Sequence, residues 1–80
     1  MAEQSKLDSF VRELSLLFDK QPGELGGNTR LREDLNAKSA HYFGMIGTIE
    51  DLTNKSPTYA EVKSCTTIDD VIKLFHSLSE

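Results

Sequence analysis

The 80-residue chain is 38% hydrophobic and 28% charged, a balance that fits a folded globular domain and excludes a disordered tail. Its formal charge of −4 and pI near 5.1 repel phosphate backbones, which excludes nucleic acid as the expected partner and suits basic patches on proteins. A domain of this length buries only about 60–65% of the surface its unfolded chain exposes. One core and a shallow cleft fit in such a volume, so binding or carrying is expected rather than catalysis.

Cys65 is the sole cysteine, so no internal disulfide can form, and this suits a reducing compartment. Together with the two separated histidines, His41 and His76, it shows no metal-ligand spacing, and no metal is expected. The first residues, Met-Ala-Glu-Gln-Ser-Lys, lack an apolar signal core, and no apolar run reaches membrane-spanning length. A cytoplasmic protein without membrane insertion is the expectation. No repeat or composition break divides residues 1–80, which read as a single domain.

From Leu7 the residues Leu7, Phe10, Val11, Leu14, Leu17 and Phe18 recur at steps of three and four, the apolar face of an amphipathic helix. Pro22 and Gly23 are expected to end it, and Gly26-Gly27-Asn28 prolongs the break into a long first loop. Leu31 and Leu35 anchor the stretch from Thr29 to Asn36. A second helix is predicted over Ser39–Leu52, with Tyr42, Phe43, Met45, Ile46, Ile49 and Leu52 as its apolar set. Of the two adjacent aromatics, one is expected in the core and the other partly exposed, where it could add contact area to a partner interface. Gly44 and Gly47 inside the helix each cost roughly 1 kcal/mol relative to alanine, so tertiary packing must support this segment. Pro57 is expected in the first turn of a short helix reaching Val62. The last helix should start near Thr67, where Thr67 and Asp70 have cap-like spacing and Asp69 and Asp70 place negative charge on the positive helix end. Ile68, Val71, Ile72, Phe75 and Leu78 form its stripe. No segment alternates as a strand does. The fold class is therefore all-α: three main helices, one short helix and a long first loop.

Ser39 opens the second helix. Its simplest role is an N-cap, accepting an N–H of the first turn. A hydroxyl at a positive helix end also favours an attached phosphodiester, and the two roles are compatible. His41, two residues on, does not face Ser39 on a helix, so Ser39, His41 and Asp34 make a poor catalytic triad. No glycine-flanked nucleophile elbow accompanies them, and no enzyme activity is expected. Cys65 has no cationic cluster beside it in sequence and reads as inert packing.

The string Thr29-Arg30-Leu31-Arg32-Glu33-Asp34-Leu35-Asn36-Ala37-Lys38-Ser39 resembles the segment leading to the modified serine of acyl carrier proteins. That family reads Asp-Leu-Gly-Ala-Asp-Ser-Leu at this point. Asp34, Leu35, Ala37 and Ser39 match in register; Asn36, Lys38 and Ala40 depart. The likeness continues through Ile49-Glu50-Asp51-Leu52, Pro57 and Thr66-Thr67-Ile68-Asp69-Asp70-Val71-Ile72, covering nearly the whole chain.

The resemblance implies a small acyl-carrier-like bundle. Its function would be an acyl carrier, holding an acyl or related group as a thioester on phosphopantetheine attached to Ser39. The implied partners are a phosphopantetheinyl transferase and acyl-transferring or acyl-modifying enzymes, met by a monomer. Tyr42, Met45, Ile46 and Ile49 would line the interior that shelters the acyl chain, and Lys38, Ala40, His41, Tyr42, Glu50 and Asp51 would form the docking face. Because Lys38 and Ala40 replace the family's acidic residue and leucine, a carrier for a specialised lipid or secondary-metabolite pathway is expected rather than a general fatty-acid carrier. The alternative is an unmodified interaction or adaptor module of the same fold.

Overall fold

The computed structural model describes the backbone of residues 2–79 and the side chains of residues 6–79. The chain forms a small all-α bundle: α1 (Ala2–Leu17), α2 (Ser39–Thr53), α3 (Tyr59–Lys63) and α4 (Ile68–Ser79), with one 3₁₀ turn (Pro22–Glu24) in the long first loop. No strand occurs among the described residues. The Cα radius of gyration, 11.3 Å, is that of a fully packed chain of this length.

α1 begins at Ala2, earlier than its apolar periodicity, and ends before Pro22 and Gly23 come into play. Asp19 takes a left-handed backbone (φ 56°), the Lys20 N–H donates to the Ser15 carbonyl at 2.8 Å, and the Asp19 N–H donates to the Leu16 carbonyl at 3.2 Å. That pair of bonds is a Schellman stop, which satisfies the carbonyls of the last turn without glycine. Pro22 and Gly23 instead build the 3₁₀ turn that follows.

α2 also ends on a left-handed residue, Asn54 (φ 62°), whose N–H donates to the Glu50 carbonyl at 2.9 Å, the bond of the simpler αL stop. Pro57 lies just outside α3 rather than in its first turn, and is buried. Thr58 is the cap: its Oγ1 accepts the Glu61 N–H at 3.1 Å, and the Glu61 carboxylate accepts the Thr58 N–H at 2.8 Å. Thr67 and Asp70 exchange the corresponding bonds at the start of α4, at 3.3 and 3.2 Å. These reciprocal capping boxes satisfy two orphan donors each.

α2 lies at the centre, packed on α1, α3 and α4. The buried cluster joins Phe10 and Leu14 of α1, Leu31 of the loop, Tyr42, Met45 and Ile49 of α2, Val62 of α3, and Ile68, Val71 and Phe75 of α4. The Phe10 and Phe75 rings stack at 4.5 Å, pinning the two ends of the chain together. Of the two adjacent aromatics, Tyr42 is the core residue and Phe43, also counted in the apolar set, is the exposed one at 60%. The buried arc of α2 runs through Tyr42, Met45 and Ile49, spaced by three and four, and Phe43 falls about 100° from Tyr42. Ile46 and Leu52 flank that arc, half-buried.

Gly44 and Gly47 have different explanations. A Cβ on Gly44 would lie 2.7 Å from the Leu17 Cδ1, so its absence lets α1 and α2 approach; a Cβ on Gly47 would meet nothing within 4 Å.

Candidate functional site

The loop before α2 is built by its own side chains. Arg30 and Asp34 form the central pair: the Asp34 carboxylate accepts the Arg30 backbone N–H at 2.8 Å and lies 3.4 Å from its guanidinium. The Arg30 amide and guanidinium hold the Asp34 carboxyl below the usual carboxylate range. Glu33 pairs with the same guanidinium at 2.8 Å. The Ala37 N–H then donates to the Leu31 carbonyl at 2.9 Å, around a left-handed Asn36 (φ 54°). The other end of the turn is fastened to α4, because the Leu31 N–H donates to the Thr66 carbonyl and the Ile68 N–H to the Thr29 carbonyl, both at 2.9 Å. Turn and α4 therefore fix where α2 starts.

Ser39 is the first residue of α2 and not its cap. Lys38 holds the cap position, and its N–H donates to the His41 Nδ1 at 2.8 Å, so a histidine makes the return bond that a carboxylate usually makes, while the lysine side chain, having no acceptor, caps nothing. The His41 ring also stacks on Phe18 at 4.7 Å, tying the start of α2 to the end of α1. Held by Lys38 and Phe18, His41 does not act on Ser39, and Asp34 is engaged with Arg30.

The Ser39 hydroxyl is exposed, and its Oγ accepts the Tyr59 phenol O–H of α3 at a long 3.4 Å. A bond that the Ser39 hydroxyl can give to the phenolate, with Lys63 nearby, lowers the Tyr59 pKa. The Lys63 ammonium sits 5.7 Å from the ring centroids of both Tyr59 and Tyr42. Phe43 lies against Tyr59, with centroids 4.9 Å apart. One cluster therefore joins Ser39, Phe43, Tyr59 and Lys63.

The residues expected on the docking face divide. Lys38 and Ala40 are exposed beside Ser39, whereas Glu50 and Asp51 are exposed at the far end of α2, about 17 Å along the axis at 1.5 Å per residue. Tyr42 is 1% exposed and cannot take part in a surface; it belongs only to the interior set. Of that set Tyr42, Met45 and Ile49 are fully buried and Ile46 is half-buried. The Tyr42 hydroxyl is buried without a hydrogen-bond partner.

Tyr59 and Lys63 escape a reading of the sequence because they lie 20 and 24 positions beyond Ser39, and only the packing of α3 on α2 brings them there. Cys65 is buried, and desolvation followed by the nearby Asp70 and Glu61 charges pushes its thiol up to about 11. It stays protonated at neutral pH.

A phosphodiester on Ser39 Oγ would fit these surroundings. The oxygen faces solvent at the positive end of α2, the first turn carries no carboxylate, and Lys38 is adjacent. Compared with protein-family models and with curated proteins, the chain matches none.

Proposed function

We propose that the chain is a carrier protein in which Ser39 bears phosphopantetheine and holds an acyl or related group for a specialised pathway. The observation that carries this reading is the exposed Ser39 hydroxyl at the first residue of α2, left out of the capping bonds that Lys38 and His41 make. A nucleophilic hydroxyl needs access and a place for the incoming anion, and a helix N-terminus without carboxylates supplies the second.

Asn36 adds support. The carrier family reads glycine at this point, and Asn36 holds a left-handed backbone, which asparagine tolerates better than most residues. The departure from the family's pattern is thus one that the turn accommodates.

In attachment, the Ser39 Oγ forms a bond to the phosphorus of coenzyme A that carries the pantetheine arm. The adenosine bisphosphate leaves, and the hydroxyl proton passes to a base on the transferase. When bound, the group supplies a terminal thiol for the cargo on a flexible arm, which raises its effective concentration at successive enzymes. Tyr59 is placed to orient the serine oxygen, Lys38 adds positive charge beside the phosphate, and the α2 end favours its anion.

Intact mass tests the reading. Incubated with coenzyme A, magnesium and a panel of phosphopantetheinyl transferases, the protein should gain one phosphopantetheinyl group, and Ser39→Ala should gain none. Because the hydroxyl caps nothing, Ser39→Ala should change unfolding stability by less than about 0.5 kcal/mol. Absence of the mass gain with every transferase, together with unmodified protein from native cells, leaves the adaptor reading.

A further inference from the structure

Charge along α2 is unevenly placed. From Ser39 to Ile49 the helix carries no carboxylate, although the chain as a whole is net −4; acid returns only at Glu50 and Asp51. The exposed cations around Ser39 are Lys38 at the cap, Lys63 over the Tyr59 ring, and Arg32, which lies within electrostatic reach of the Tyr59 phenol. The acids nearest in sequence keep their charge but are each held by a local partner. Glu33 and Asp34 pair with Arg30, and the Glu61 carboxylate accepts the Thr58 N–H. Phe43, 60% exposed, rests against the Tyr59 ring that Lys63 covers.

We infer that Phe43 and Tyr59, with Lys63 and Arg32 beside Tyr59 and Lys38 beside Ser39, form a docking surface for an acidic protein partner that offers an apolar recess to the Phe43 ring. The inference rests on the carrier reading, in that such a partner would be an enzyme reaching Ser39. An exposed aromatic beside the attachment point is a binding anchor of the kind that dominates interface energetics. The three cations select the partner, attracting an acidic surface and opposing a basic one. Three cations on an otherwise acidic chain make the same ring a poor membrane anchor, which usually needs four or more clustered basic residues.

The unloaded full-length protein, labelled with ¹⁵N, tests this against three probes: an amphipathic peptide with glutamates on its polar face and leucine and phenylalanine on the other, the same peptide with lysines, and phosphatidylglycerol vesicles. The acidic peptide should shift the amides of Lys38–Phe43 and Tyr59–Lys63, and salt should weaken it. Phe43→Ser and Lys38→Glu, both at exposed positions, should each weaken it about tenfold, while amide spectra away from the patch stay unchanged. Equal or tighter binding of the lysine peptide, shifts elsewhere, preference for vesicles, or no binding of the acidic peptide overturns the surface. The chain is unloaded throughout, so the outcomes separate. A mass gain on Ser39 without acidic-peptide binding removes the docking surface alone, and peptide binding without a mass gain removes the carrier.

Discussion

Two residues in the second helix carry more than their place in the pattern suggests. Tyr42 is fully buried, and its hydroxyl has no partner. Burial raises its pKa, as expected when the charged form is denied water. An unsatisfied buried hydroxyl costs about 1–3 kcal/mol, and phenylalanine keeps the ring's packing without that cost. Tyr42→Phe should therefore stabilise the fold by about 1 kcal/mol in urea unfolding, and a loss of similar size would mean that the hydroxyl is satisfied in solution. His41 is the converse case. Read as a docking residue, it closes the helix start and stacks on Phe18. Its role at the helix start could have been found from the sequence, since Lys38 and His41 have capping-box spacing, but histidine is not the residue that pattern leads one to seek.

At the scale of elements, caps were more legible than helix stops. Thr67 and Asp70 form the box their spacing announces, with the Asp70 carboxylate also accepting the Thr66 N–H at 3.0 Å. α1 stops ahead of Pro22 and Gly23 because Asp19 takes the left-handed turn usually given to glycine. Within α2 the two glycines should behave differently when replaced. Gly47→Ala fills open space and gains helix propensity, so it should stabilise by about 1 kcal/mol. Gly44→Ala has the same propensity gain but must displace the Leu17 side chain, so it should gain less or lose stability. Denaturant unfolding of both variants checks this; equal gains would mean that Leu17 moves at no cost.

Across the molecule, the first loop and the start of α4 each hold a locally bonded carboxylate, and the two together carry a pH signature. Asp70 is held below the usual carboxylate range by the Thr66 and Thr67 amides, and Asp34 by Arg30. A lowered folded-state pKa gives stability that is fully present above the unfolded value, about 3.9, and is lost as pH falls through the folded value. Unfolding free energy should therefore decline below about pH 4, and Asp70→Asn should flatten that decline when urea midpoints are compared across pH.

The sequence by itself determined the all-α class, the order of the helices, most of the buried stripes and the position of Ser39 at the start of α2. Those features follow from local periodicity and capping chemistry, which act over three or four residues. Tertiary structure decided the rest: that Phe43 faces outward, that Gly44 serves a helix approach and Gly47 does not, and that Tyr59 and Lys63 stand beside Ser39. The physical reason is range. A period of 3.6 residues identifies an apolar face, but which of two adjacent aromatics is covered depends on where neighbouring helices cross. Contacts spanning 20 residues are set by that packing alone.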